Sequence, residues 1–302
     1  MAKLRVLVSL ITEKNDFQME QAASAEETAH KSDTDIQIIY ADNNAVDQTQ
    51  QLLKAIHRLE NPPHAILVEP VGTGMPQVAA AAAAAGIGWA VINREVDYVA
   101  ALRTQSAAPM FAVSADQQEV GRIQGKQFAA FLGQEGSGIL YLEGPSGGEV
   151  ARLRSAGMHM TKPSTAQPKV LKGDWTEASG YRAVKSWLSL STSQQLHIRV
   201  VGSQNDAMAL GARRAFEEVS DPGARNAWLS LPFTGCDGAP RTGQEWVRRG
   251  LLAATVVIPP TMGPALELMV KAIRSGEQPP ARTLKKPSSF PPLETLATRP
   301  AS

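Results

Sequence analysis

Short apolar runs rich in β-branched residues alternate with amphipathic stretches of helical length along almost the whole chain. That alternation constrains the fold most, because strands joined by helix-length connections pair in parallel and need helices on both faces. The first strand is expected over Arg5–Leu10, with a helix from about Phe17 to Lys31, and a second strand over Ile36–Tyr40. A helix with Leu52, Leu53, Ile56 and Leu59 on one face then stops at Asn61-Pro62-Pro63, since proline cannot continue it. Strands over Ala65–Val68 and Trp89–Ile92 flank an alanine-rich helix closed by Gly86. A looser segment, Glu95–Pro109, leads to a short strand over Phe111–Val113.

From Gln117 the alternation restarts. Helices are expected over Gln117–Leu132, Glu149–Met160, Thr176–Leu188, Ala207–Val219 and Gly243–Arg249, and near Met262–Arg274. The intervening strands are Gly138–Leu142, Lys169–Lys172, His197–Gly202, Leu229–Thr234 and Leu252–Ile258, and the proline-rich tail carries little regular structure. Two such runs imply an α/β protein of two doubly wound, Rossmann-like parallel-sheet lobes, with a crossover near Ser114–Asp116.

Composition narrows the function classes. With 30 Lys+Arg against 29 Asp+Glu, the 302-residue chain has a net charge of +1 and no global basic field for nucleic acid or an anionic membrane. The single cysteine, Cys236, excludes an internal disulfide framework and any multi-cysteine metal site. Met1-Ala2-Lys3-Leu4-Arg5 runs into Val6-Leu7-Val8, too short for a signal-peptide core, so no export signal is expected in the sequence as it stands. No apolar run approaches the length that spans a bilayer.

Ligands of open α/β sheets bind outside the carboxyl ends of the strands. The residues there are consistently polar: Asn15, Asp16 and Phe17; Glu69; Asn93 and Arg94; Asp116; Arg152 and Arg154; Asp174 and Trp175; Asn205 and Asp206; Asp237. Carboxylates, amides and arginines offer acceptors and donors to hydroxyls, while Phe17 and Trp175 offer flat faces, and a sugar needs both. Plainer readings compete at several positions. Asn205-Asp206 can cap the next helix, with Asp206 expected as the main cap and Asn205 as the ligand contact. A hinge role for Asp116 is as well supported as a ligand role, and Cys236 reads as buried packing. Gly144-Pro145-Ser146-Gly147-Gly148 lacks the Walker lysine and the G-x-G-x-x-G spacing, so it is assigned to a turn. The five histidines, at 30, 57, 64, 159 and 197, lie off the strand ends and are read as structural.

Five segments fall in register along the chain: Val91-Ile92-Asn93-Arg94, Ala151–Gly157, Gln204–Ala212, Gly235-Cys236-Asp237-Gly238 and Gly250–Val256. Together they resemble the periplasmic binding protein type I family, the ribose- and galactose-type sugar-binding proteins related to the ligand-binding domain of lactose-repressor-type regulators. The resemblance implies sugar contacts at Asn15, Phe17, Glu69, Asn93, Arg94, Arg154, Trp175, Asn205 and Asp237, with no cofactor, metal or catalytic residue. It also implies an N-terminal lobe of 1–114 plus 259–283, a C-terminal lobe of 115–258 plus 284–302, a ligand cleft between them, and a three-strand hinge near Ser114, Ile258-Pro259 and Arg282–Pro287. Asn93 stands where the ribose type carries aspartate, Glu69 where it commonly carries asparagine, and Gln18 where it has a second aromatic, so ribose itself does not follow. Ile258 stands near where a glutamine often completes the site.

The expected role is a non-catalytic solute-binding protein serving an ABC-type transporter or a membrane receptor, in the periplasm by resemblance. The lack of a leader keeps open a cytoplasmic sugar sensor without a DNA-binding domain. An enzyme, with Glu69 and Asp237 as an acid–base pair, is the remote alternative.

Overall fold

The computed structural model describes residues 3–72, 75–133, 138–190 and 197–296. The chain divides into two compact units, Met1–Ala115 with Pro259–Lys285 and Asp116–Ile258 with Lys286–Ser302. It starts in unit 1 with β1 (Leu4–Leu10), α1 (Asp16–Lys31), β2 (Thr34–Tyr40), α2 (Ala45–Ile56), β3 (Ala65–Val68), α3 (Met75–Ala84), β4 (Gly88–Ile92), α4 (Tyr98–Gln105) and β5 (Met110–Ala115). Unit 2 follows with α5 (Gln117–Leu132), β6 (Gly138–Glu143), α6 (Glu149–Thr161), β7 (Gln167–Lys172), α7 (Glu177–Leu188), β8 (Ile198–Ser203), α8 (Asp206–Glu217), α9 (Pro222–Leu229), β9 (Phe233–Asp237), α10 (Gly243–Arg248) and β10 (Ala254–Val257). The chain returns to unit 1 for α11 (Met262–Ser275) and β11 (Arg282–Lys285), then to unit 2 for β12 (Ser288–Phe290) and α12 (Leu293–Leu296).

In unit 1 six strands lie in the order β11-β5-β4-β3-β1-β2, every neighbour parallel. Such a sheet must be covered on both faces, and its strands read as near-continuous apolar runs. Val8, Leu67, Ile92 and Phe111 pack on one face with Ala25 of α1 and Leu266 of α11. Ile66, Val68 and Trp89 pack on the other with Leu52 of α2 and Val78 of α3. In unit 2 the order is β12-β10-β9-β8-β6-β7, parallel except for β12, which runs antiparallel to β10. Both sheets therefore carry the 2-1-3-4-5 order of doubly wound folds, extended by one late strand at the edge, and the two parallel-sheet α/β lobes expected from sequence are present.

Several local expectations need correction. The segment Glu95–Pro109 contains α4, which buries only Val99 and so lacks an apolar stripe to announce it. Helix α2 ends at Ile56, leaving Leu59 wholly exposed instead of on its apolar face. Leu229 closes α9 rather than opening a strand, and β9 starts at Phe233. The start of α9 has a readable cap, since Asp221 accepts from Ala224 N and Pro222 occupies the first turn, where its missing N–H costs nothing. The tail supplies β11, β12 and α12, each too short to show a period.

One packing feature positions a site residue. A Cβ on Gly121 of α5 would strike the Arg154 carbonyl, and one on Gly157 of α6 would strike the Gln118 carbonyl. The two helices thus touch backbone to backbone, which only glycine permits.

Candidate functional site

At the carboxyl ends of the unit 1 strands, helix starts and strand ends bring polar groups together. Asn15 caps α1, its Oδ1 accepting from Phe17 N at 2.9 Å and Gln18 N at 3.3 Å, as an orphan helix N-terminus requires. Phe17 is half-buried in the first turn. Glu69, just past β3, is only 6% exposed. Its Oε2 accepts from Asn93 Nδ2 at 3.0 Å, and the Gln18 side chain is its second hydrogen-bond partner. Gln18 Oε1 is taken by Ile11 N at 3.0 Å, and Asn93 Oδ1 by Thr261 Oγ1 at 2.7 Å. Each amide is therefore turned so that its nitrogen faces the carboxylate. Gln48 adds a donor to the Glu69 backbone oxygen at 2.9 Å and accepts from Val71 N at 2.7 Å. Arg94 donates to Pro70 O at 3.3 Å. Burial pushes the Glu69 carboxyl up to about 7, against the downward pull of Gln18, Asn93 and the Arg94 charge.

Unit 2 gathers a second set. Arg154 of α6, 5% exposed, donates through Nε to Gln117 Oε1 at 2.9 Å and through Nη1 to the Gln204 carbonyl. Its Nη1 lies 3.8 Å from Asp237 Oδ1, and its guanidinium sits over the Trp175 ring at 5.6 Å. Asn205 caps α8, accepting from Met208 N at 2.9 Å, and its Nδ2 donates to Trp175 O at 2.8 Å. Asp206 is not the cap, contrary to the sequence reading. It reaches sideways, accepting from Gly238 N at 2.7 Å and Thr255 Oγ1 at 2.6 Å, and so ties α8 to the ends of β9 and β10. Burial, reinforced by the Asp237 charge, holds the Asp206 carboxyl well above the usual carboxylate range. Gly235 and Gly243 close around that carboxylate, leaving no room for a Cβ at either.

Three non-glycine residues in these sets have left-handed backbone: Asn93 (φ 57°), Trp175 (φ 71°) and Asp237 (φ 104°). Such conformations cost roughly 1–3 kcal/mol each and cluster where a side chain must be aimed. Glu69, Asn93 and Arg94 stand together, Asn15 and Phe17 are tied to them through the neighbouring Gln18 at the start of α1, and Arg154, Trp175, Asn205 and Asp237 stand together in unit 2. Others named from sequence do different work. Asp116 caps α5 by accepting from Glu119 N at 2.9 Å, Arg152 is exposed, and Asp174 accepts from Thr176 N at 3.2 Å. Cys236 is buried and its thiol is pushed up by that burial, which makes it packing. His64 accepts from Arg5 N at 2.9 Å, a structural use.

Sequence reasoning missed the buried amides. Gln204 is fully buried, bonding through Nε2 with Tyr141 OH, Ala151 O and Ser155 Oγ and accepting from Gly144 N at 2.9 Å. Its position directly after β8 was the available signal. Gln21 and Thr261 gave none, because their partners lie far away in the chain: Gln21 Oε1 accepts from Thr261 N at 2.9 Å and Met262 N at 2.8 Å. Among the described residues no group of His, Cys, Asp and Glu could hold a metal, and no helix is long and apolar enough to cross a membrane.

A family model described as periplasmic binding protein domain matches residues 6–278. Over 203 residues the chain is 31% identical to a xylitol-binding protein of Mycolicibacterium smegmatis, covering 66% of this chain and 52% of that one. Over 177 residues it is 27% identical to the ribose import binding protein of Salmonella typhimurium, covering 56% and 54%. The chain thus spans about half the length of the curated relatives it matches. Solved structures share its fold over nearly its full length. A galactofuranose-binding protein gives a TM-score of 0.81 at 22% identity, over 97% of this chain and 96% of that one. The binding component of an arabinose ABC transporter from Shewanella sp. ANA-3 gives 0.81 at 24% identity, over 97% and 93%.

Proposed function

The chain belongs to the periplasmic binding protein domain family, and from that premise we propose that it binds a small polyhydroxylated solute, a sugar or polyol, and presents it to an ABC-type transporter without changing it chemically. One observation carries the reading. Each unit gathers a carboxylate and an arginine among further hydrogen bonds, buried Glu69 with Asn93 and the half-buried Arg94, and half-buried Asp237 with the buried Arg154 and with Trp175. In this proposal each set offers donors and acceptors to the hydroxyls of such a solute. Charge-assisted hydrogen bonds are worth roughly 1.5–3 kcal/mol each, so a few of them with the Trp175 face supply the roughly 8 kcal/mol of a micromolar complex.

The relatives are named for binding, which favours transport over both a regulatory sensor and an enzyme. The periplasm is the compartment that fits this role. Thermal unfolding with xylitol, D-ribose and L-arabinose tests it. A true ligand at a hundred times its dissociation constant adds about 2.7 kcal/mol. Trp175→Ala or Asp237→Ala is expected to remove the shift. No shift with any neutral sugar or polyol, or consumption of the sugar during incubation, overturns the reading.

A further inference from the structure

The unit 1 cluster has a property that solute binding alone does not require. Glu69 is buried, yet among the described residues both side chains bonded to it are amides whose acceptor ends are already engaged, Gln18 Oε1 by Ile11 N and Asn93 Oδ1 by Thr261 Oγ1. Neither amide can flip without abandoning a buried donor, so both keep N–H groups on the carboxylate. Thr261 is itself fixed, because Gln21 Oε1 accepts from its backbone N and from Met262 N. The residues Gln18, Gln21, Asn93 and Thr261 thus hold Glu69 as an acceptor, and what meets its remaining lone pairs must donate.

Charge completes the argument. Among the described residues the charged side chain acting on Glu69 is Arg94, while Gln18 of α1, Asn93 at the end of β4 and Gln48 of α2 are neutral. In unit 2, Arg154 lies beside Asp237, and two of its nitrogens already donate to Gln117 and Gln204. Each arginine is thus matched by a carboxylate of its own unit. An added anion would meet Glu69 or Asp237 uncompensated, and an added cation would meet Arg94 or Arg154.

We propose that the ligand is a neutral polyol or sugar whose hydroxyl donors bind Glu69, that Glu69 is the residue rejecting the corresponding sugar acids, and that Gln18, Gln21, Asn93 and Thr261 are its positioning residues. This rests on the solute-binding reading above and names its ligand class. A carboxyl near 7 fits it: hydroxyl donors favour the ionised form, so affinity falls as pH drops through that value, by about tenfold from pH 8 to pH 6.

Calorimetric titration with matched pairs, D-ribose with D-ribonate and xylitol with D-xylonate, tests the idea, with D-glucose and D-glucosamine as the cationic arm. The wild-type protein is expected to bind the neutral partner of the tightest pair at least tenfold more strongly than its charged one. Glu69→Gln, which keeps the side-chain shape, should shrink the preference over the acid at least tenfold and flatten the pH dependence. Thr261→Val should shrink it partially, with a lower unfolding midpoint for the free protein because Asn93 Oδ1 loses its buried donor. An acid or amine bound as tightly as its neutral partner, or a preference unchanged in Glu69→Gln, overturns the proposal while solute binding stands. Saturation by none of the probes overturns both.

Discussion

Glu69 illustrates the cost of an aimed carboxylate. Its folded-state pKa lies near 7 and its ordinary value is 4.5, so between these pH values the folded protein binds a proton that the unfolded chain releases. Stability therefore falls as pH rises through that window, and the full cost, about 3 kcal/mol, is present above pH 7. Glu69→Gln is expected to be more stable than wild type by about 1–3 kcal/mol at pH 8, with the difference gone by pH 4.5, as read by urea unfolding at the two pH values. Asp206, whose carboxyl is likewise held up by burial, serves the frame instead of facing a ligand. Its carboxylate joins Gly238 N and Thr255 Oγ1 across two strand ends, boxed by Gly235 and Gly243. Gly243→Ala should lower stability by about 1–3 kcal/mol without altering the pH profile of binding, since the intruding methyl meets the Asp206 carboxylate and not Glu69. Strand-end reading singled out Glu69, Asn93 and Asp237 because each stands where a buried strand ends in a polar residue, whereas Arg154, inside α6, was carried by the resemblance alone. It could not locate Gln21 or Thr261, whose roles depend on partners brought in by the return of the chain as α11. Asn205 and Asp206 were exchanged for a similar reason: both can cap, and the choice was made by Gly238 and Thr255, far along the sequence.

At the level of elements, periodic helices and fully buried strands were legible, and short exposed elements were not. Strands buried on both faces, such as Ala65–Val68, need no alternation to be recognised, only their length and flanking breakers. Helix α9 buries none of its residues and α4 buries one, so neither carries the apolar period that betrays a helix. The contact between α5 and α6 was equally hidden, because a glycine in a helix shows its purpose only when a second backbone is against it. That contact sets where Arg154 stands. Gly157→Ala should push α6 from α5, lower stability by about 1–3 kcal/mol and weaken binding of a neutral sugar, the latter measured by titration calorimetry under conditions where the variant remains folded.

Across the whole molecule, each unit is assembled from separate stretches of chain, and the chain passes from one to the other at 115–116, 258–259 and 285–286. Saturating neutral sugar is expected to slow amide hydrogen exchange at the strand ends around Glu69 and Asn93. Protection confined to one unit would assign the ligand to that unit alone. The doubly wound character of both units was legible from the restart of the strand–helix alternation near Gln117; the edge strands were not, since three or four residues show no period.

Those edge strands carry a consequence for synthesis. A single stretch, Arg282–Phe290, completes both sheets, β11 beside β5 and β12 beside β10. A nascent chain emerging from the ribosome can build most of either sheet early, but neither reaches its native edge until this stretch has been made. Until then both open edges offer unpaired backbone to neighbouring chains, and a pause in translation just before Arg282 would prolong that exposure for the two units at once.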